Sequence, residues 1–524
     1  MTGRADYSRF MSVPQRRGPP AILVACVVVM MAAGAARAAE EADPFEVRTL
    51  RVEGRPIGIA PLRLGGGERG LGVVAARGTP PDEVRTVAVL RTGQGGLVEP
   101  ERSIAIGPDV VAIDVADVDP APGDDLVLVS AARIEVVSVT GAGLSRGIVL
   151  DPPLPLPPRS HGLSLLGATS DWTDSGEPSV LLPTADGARL VGLRAGGVRR
   201  LASAPWADYE SLEPAPTWGT SFFAQLSWPA FVRGRDIASD RSDLFALSRY
   251  RIDVFRSESG AFPARPSRTM RLHPFSSEEE MRRRATRIRI LARDLDGDGL
   301  TDILLHRTFG TLMRSEHRLE IHRNASSGAD VEAPPDARFG PEAGLAVLDA
   351  VDLDGDGRHE IVQARIEFGI VQILRVLTTQ RAQVELRVDR IEGPGLAGLS
   401  RAWTESISVG LDFEQGRLEG LFPTVDGDWN GDGQRDLLLG LSEGEIGILL
   451  GASGEKGPGF SSAAIRQRVP ASGRAVVADL DADGLDDLVV HDPNDASGTV
   501  RWLRNAGVLP GGAPTLRATS RRAP

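Results

Sequence analysis

Asp294-Leu-Asp-Gly-Asp-Gly-Leu-Thr-Asp-Ile-Leu-Leu305 is the stretch that decides the fold. It packs four acids into nine residues and runs straight on into an apolar segment. The arrangement returns as DLDGDGRHEIVQ from Asp352, DWNGDGQRDLLL from Asp428 and DLDADGLDDLVV from Asp479. Apolar runs also precede the acids, as at 288–292 and 345–348. Each acidic segment therefore reads as a turn between two short strands.

Weaker copies lie upstream. Asp117-Val-Asp119 to Asp124-Asp125 precedes LVLV, Asp171 to Gly176 precedes SVLL, and Asp236 to Asp243 precedes LFAL and looks one residue short. A more worn copy spans 62–76, where GGGERG replaces the acids. The first loop positions fall about 60 residues apart, which holds four short strands and their turns. One unit reads LSLLGA, SVLL, ARLVGL, VRRLAS; the last reads RAVVAD, DLVV, TVRWLR, PTLRAT. Four strands per unit, repeated along the chain, predict an all-β fold, a β-propeller of seven or eight four-stranded blades. A string of separate domains fits less well, because about 60 residues without a disulfide bury too little core alone.

The strong loops follow D-x-[DN]-x-D-G-x-x-[DE]. Oxygen ligands at positions 1, 3, 5 and 9, with a backbone carbonyl at 7, suit a hard cation that takes six to eight oxygens. The candidate ligands are Asp294, Asp296, Asp298 and Asp302; Asp352, Asp354, Asp356 and Glu360; Asp428, Asn430, Asp432 and Asp436; and Asp479, Asp481, Asp483 and Asp487. Glycine at position 6 (Gly299, Gly357, Gly433, Gly484) permits the tight turn. An EF-hand needs glutamate at position 12, where Leu305, Gln363, Leu439 and Val490 stand instead. Calcium at the Asp117 loop, whose fifth position is Ala121, is left open.

On these motifs the chain resembles the FG-GAP/VCBS repeat family, whose best-known members are the propeller heads of integrin alpha subunits. The resemblance runs over most of 50–510 and is strongest in the last four units. It implies Ca²⁺ between the first two strands of a blade, where the four full motifs fall. Integrin-type heads have seven blades; the units here number seven or eight.

Composition bounds the remainder. The chain has 524 residues, 60 of them glycine and 37 proline, and a net charge of −12 with pI near 5.3, which argues against sequence-independent nucleic-acid binding. Lys456 is the only lysine. Arg4, Arg9, Arg16 and Arg17 precede an apolar run at 21–33 and the Ala36-x-Ala38 site, the three parts of a secretory signal. The expected organisation is a signal at 1–38 and one propeller domain at 39–524, monomeric and without a transmembrane segment. Export places the protein in a bacterial periplasm or outside the cell. Leu23-Val-Ala-Cys26 also fits a lipobox, but the apolar run continues past Cys26, which favours a cysteine inside the signal. Removing 1–38 takes away five arginines and one aspartate, which moves the net charge from −12 to −16. Four calcium ions would bring it to about −8.

Motifs for catalysis are weak. Gly440-Leu-Ser442-Glu-Gly444 fits a nucleophile elbow but joins two strand-like runs as a hairpin. Gly65 to Gly70 fits G-x-G-x-x-G, yet a strand follows where a helix is needed. The seven histidines are scattered, and His306, His317 and His322 have the spacing of an exposed hairpin. The aromatic residues Trp206, Tyr209, Trp218, Phe222, Phe223 and Trp228 read as inter-blade core, with a protein- or glycan-binding platform as the alternative. The segment 274–286 reads as a short surface helix, and 151–159 as a stiff link. The reading these residues support is a non-enzymatic binding protein with a protein or glycan partner. A secreted polysaccharide-acting enzyme and an envelope assembly scaffold are the alternatives.

Overall fold

The repeat that begins at Asp294 folds as four antiparallel strands, Arg287–Arg293, Asp302–Thr311, Arg314–His322 and Ala337–Ala343. The acidic loop joins the first strand to the second. The computed structural model describes residues 43–509 apart from connecting stretches, of which 155–163, 209–224 and 273–286 are the longest. The expected signal at 1–38 with Cys26, the six aromatic residues at 206–228, the segment 274–286 and most of the proline-rich link lie outside the described residues.

Seven further sheets of the same plan span 55–106, 110–149, 169–202, 230–271, 345–412, 424–468 and 474–505. We number them in chain order, so that the Asp294 unit is blade 5. Blade 8 takes its fourth strand from the other end of the chain. Phe45–Arg51 pairs antiparallel with Thr499–Asn505 in register from Phe45↔Asn505 to Arg51↔Thr499. The segment PTLRAT, expected in this place, lies outside the described residues. The ring is thereby an eight-bladed propeller.

Its cores lie between blades. Leu438 of blade 7 packs with Trp429, Leu488 and Leu503 toward blade 8, whereas Leu437 and Leu439 pack with Leu353, Val384 and Leu386 toward blade 6. A strand buried on both faces reads as a continuous apolar run rather than an alternating one, which accounts for DLLL, DLVV and DILL. Each of the eight seams has such a cluster. The last one joins Leu480, Val489, Val500 and Trp502 of blade 8 to Ile59, Leu71 and Val73 of blade 1 and so closes the circle. Each fully buried leucine or valine contributes about 1.5–3 kcal/mol.

Several local readings change. Ser164–Leu165 of the run LSLLGA pairs in parallel with Ala112 and Ile113 of blade 2, and the first strand of blade 3 shrinks to Thr169–Ser170. Asp114 causes this. Its carboxylate accepts the N–H groups of Gly167, Ala168 and Thr169 and the Thr169 hydroxyl, which pins the segment before it can extend. The G-x-S-x-G run lies where Asp436–Ser442 turns into Glu445–Leu449, a hairpin as read. Gly66 and Gly67, both at positive φ, form the tight turn of blade 1 where other blades carry an acidic loop. Blade 6 holds a helix, Ile370–Thr379, between its second and third strands; no helix among the described residues is long and apolar enough to cross a membrane.

The histidines correct the sequence reading. His306, His317 and His322 are 4%, 3% and 2% exposed, because blade 5 is sandwiched by its neighbours and its hairpin faces them. His306 and His317 meet edge to face at 5.5 Å. Burial, with Arg289 and His317 adding to it, pushes His306 down to about 3. His491 in blade 8 is likewise pushed down to about 4, first by burial and then by Arg474.

Two predictions follow from this packing. Phe45 is 2% exposed and sets its ring edge-on to Trp429 at 5.5 Å, so Phe45→Ala removes the plug of the closing strand. Chemical denaturation of the variant should show a loss of about 3–5 kcal/mol. His491 is neutral in both folded and unfolded chains above pH ~6.5; below that the unfolded chain takes up a proton that the folded one refuses. Stability from this residue is therefore complete above pH ~6.5 and falls as pH drops toward about 4. Denaturation curves at pH 7 and pH 5 should show a smaller acid loss in His491→Leu than in the wild type.

Candidate metal centre

Every blade runs in the same sense around the ring, so the loops between first and second strands emerge together on one face. Their shape begins with the carboxylate at position 9. Asp302, fully buried, accepts the N–H of Leu295 at 3.1 Å and of Asn324 at 2.8 Å. It thus binds the start of its own loop to the end of the third strand. Asp487 does the same with Leu480 and Asn505, and Asp436 with Trp429 and Gly451. Glu360 accepts Leu353 N–H at 3.1 Å.

Position 1 shapes the turn. Asp294 accepts the N–H groups of Gly297 and Gly299, and Asp352 those of Gly355 and Gly357. Asp428 and Asp479 cap Gly433 and Gly484. Gly299, Gly357, Gly433 and Gly484 stand at φ 81°, 89°, 90° and 91°, where a side chain is strained, which is why the sixth position is glycine.

This folding draws the acids inward. Carboxylate oxygens of Asp294, Asp296 and Asp302 lie within 4.8 Å of one another, as do those of Asp352, Asp354 and Asp356 and those of Asp479, Asp481 and Asp483. The fourth acids, Asp298, Glu360 and Asp487, stand outside these triplets. In blade 7, Asp428, Asn430 and Asp432 are linked by hydrogen bonds: Asn430 Nδ2 donates to Asp432, and Asp432 N–H to Asp428 and to Asn430 Oδ1. Burial pushes the position-9 carboxyls of Asp302, Glu360, Asp436 and Asp487 up to about 7, and the acids beside them push the same way. Asp298, Asp479 and Asp483 are raised for the same reasons. Glu360 Oε1, Asp479 Oδ1 and Asp481 Oδ1 are buried without a hydrogen-bond partner. Converging carboxylates with orphaned oxygens are the donor set of a hard cation, so these residues fit one.

The upstream loops differ. Asp243 accepts the N–H of Asp236 at 2.9 Å, the contact that Asp302 makes with the second residue of its loop. The first position in blade 4 is therefore Arg235, not Asp236, and the loop has full length. A cation stands in the chain where an acid ligand would be, and Arg256 pairs with Asp236 at 2.6 Å. In blade 2, Asp125 accepts Val118 and Asp119 N–H, while Arg63 from blade 1 grips Asp124 and lies 4.0 Å from Asp117. Blade 3 keeps the turn, with Asp171 accepting Ser175 and Gly176, but has Ser179 at position 9.

A feature that sequence reasoning missed joins the loops to one another. His359 Nδ1 of blade 6 donates to the Asp294 carbonyl at 2.7 Å, and Arg435 N–H of blade 7 to the Leu353 carbonyl at 2.9 Å. Asp486 of blade 8 accepts Asp428 N–H, and Arg69 of blade 1 donates to the Asp479 carbonyl. Thr301 bonds both N–H and carbonyl of Arg235; Arg194 reaches Asp117 and Val118; Arg233 reaches Asp171; Asp124 reaches Arg63. A belt of hydrogen bonds thus runs from blade to blade around the face. The donors vary from His to Arg to Thr, so no repeating letter marks them.

Comparison with known proteins agrees with the repeat. Residues 294–362 and 428–490 match the FG-GAP-like repeat model. No curated protein sequence matches the chain. Among solved structures, the V. cholerae biofilm matrix protein Bap1 aligns with TM-score 0.34 and 11% identity over 87% of this chain and 88% of that one. BBS1N in complex with ARL6DN, soaked with lead, aligns with TM-score 0.26 and 11% identity over 64% and 90% of the two chains. The chain is an eight-bladed β-propeller in which residues 294–362 and 428–490 match an FG-GAP-like repeat.

Proposed function

We propose that the protein is an exported, calcium-stabilised propeller that binds a macromolecule, protein or glycan, without transforming it. The observation that carries the metal part is the convergence of carboxylate oxygens within 4.8 Å in three loops, two of which also hold a buried carboxylate oxygen without a hydrogen-bond partner. Calcium fits better than magnesium, because four oxygen-bearing side chains per loop suit an ion that takes six to eight oxygens in a flexible geometry, whereas magnesium demands a tight octahedron and keeps several waters. Asp294, Asp296, Asp298 and Asp302 would hold one ion, and the matching residues from Asp352, Asp428 and Asp479 the others. A bound cation offsets the burial and, beside it, the repulsion that otherwise drive these carboxyls toward neutrality.

Calcium in this role braces the structure. The loop ties the first two strands of a blade to the end of the third, so an ion there locks the blade against its neighbours. Export rests on the basic, apolar and Ala-x-Ala parts of residues 1–38, and the ring of loops on one face gives a broad, rigid surface for a partner.

A thermal melt of residues 39–524 in millimolar calcium and in excess chelator tests the metal. The melting temperature should rise with calcium, since binding at 100 times Kd adds about 2.7 kcal/mol per independent site. Asp296→Ala or Asp354→Ala should lower stability more in calcium than in chelator. Equal loss in both conditions would overturn the calcium role.

A further inference from the structure

The strand ladder places one residue directly across from the position-9 acid. Ile303 pairs with His322, so Asp302 faces Arg323; Ile361 pairs with Asp389, so Glu360 faces Arg390. Leu488 pairs with Leu503, so Asp487 faces Arg504. All three arginines turn into the loop. Arg323 Nε lies 2.6 Å from Asp296, Arg390 Nη2 2.5 Å from Asp356, and Arg504 Nε 2.6 Å from Asp481. Each is only partly exposed, at 29%, 24% and 34%.

Blade 7 breaks the pattern twice, and the two breaks match. Leu437 pairs with Leu449, so Asp436 faces Leu450, which packs into the core beside blade 8. This is also the loop in which Asn430 replaces an acid. Where position 3 carries an acid, an arginine stands across the ladder and bonds a loop acid, at position 3 in blades 5 and 8 and at position 5 in blade 6; where that acid is absent the arginine is absent. Counting candidate ligands and the facing residue, the loops of blades 5, 6, 7 and 8 all come to a formal charge of −3. Arg69, 3.5 Å from Asp479, then brings blade 8 to −2.

We propose that Arg323, Arg390 and Arg504 are counter-cations built into the loops, each offsetting one acid so that the loop folds without an ion and binds one less tightly than four acids alone would. The guanidinium reaches a loop acid from across the ladder, so it neutralises charge while anchored outside the loop. The part that concerns ion affinity rests on the calcium reading above; the part that concerns the ion-free fold does not. A cation of fixed position a few ångströms from the ligand acids repels a bound divalent ion by an amount worth roughly three- to tenfold in affinity.

Two sets of variants test it, by thermal melting in chelator and by calorimetric titration with calcium chloride. Arg323→Leu should melt about 2 °C lower in chelator and bind calcium three- to tenfold tighter. Asp296→Asn added to it should recover the chelator melt. Blade 7 gives the reciprocal cycle: Asn430→Asp should lower the chelator melt, and Leu450→Arg should lower it less in the Asn430→Asp background than in the wild type. Absence of coupling in both chelator cycles would overturn the proposal. A wild type that binds no calcium would overturn the affinity part together with the calcium reading. Coupling in chelator would then still uphold the arginines as counter-cations of the fold. Calcium binding with unchanged affinity in Arg323→Leu would overturn the affinity part and leave the calcium reading standing.

Discussion

The buried carboxylate at the ninth loop position is the interaction on which the rest of the site depends. In Asp302, Asp436 and Asp487 it takes one N–H from its own loop and one from the end of the third strand. Asp243 makes both bonds in blade 4 although Arg235 there replaces the first acid. The carboxylate is thus part of the blade before it is part of any ion site. A charge this deep is expensive unless hydrogen-bonded or neutralised. The backbone amides supply part of the compensation, and the loop gathers its other groups around what remains.

How much of this was legible in the sequence follows from which residues repeat. The acidic loops and the apolar runs after them recur with the same spacing, and both were visible, because the turn demands glycine at position 6 and the doubly buried second strand demands unbroken apolar residues. Single contacts left no such mark. Asp114 looks like one more acid, yet the four hydrogen bonds it accepts from residues 167–169 hold that segment against blade 2, and the first strand of blade 3 is short. The frame of the blade 4 loop was misread by one residue because Asp236 stood where an acid was sought, and only the bond from its N–H to Asp243 fixes the count. The buried histidines of blade 5 were misjudged because burial on both sides comes from neighbouring blades that the local pattern cannot show. The arginine that faces the position-9 acid did leave a trace, the Arg-Asn pairs at 323–324 and 504–505, whose asparagine N–H groups cap Asp302 and Asp487.

The belt of hydrogen bonds between loops gives the acidic face a property that its parts lack. The first residue of one loop is held by the next blade at Asp294, Asp428 and Asp479 alike. The loops of blades 5 to 8 are therefore in direct hydrogen-bonded contact, each with the next. Packing carries the same message in the interior, where each second strand shares its two faces between two seams.

Closure by Phe45–Arg51 also fixes an order of events. This strand leaves the ribosome before all others in the ring, yet its partner, Thr499–Asn505, comes after every other blade strand. Until then blade 8 has no outer edge and blade 1 has no neighbour on that side. The longest loop in the chain must close for the ring to form, a step whose entropy is met only once seven blades already stand. An arc without its last blade leaves one apolar flank bare, and the first strand is the piece that waits for its partner.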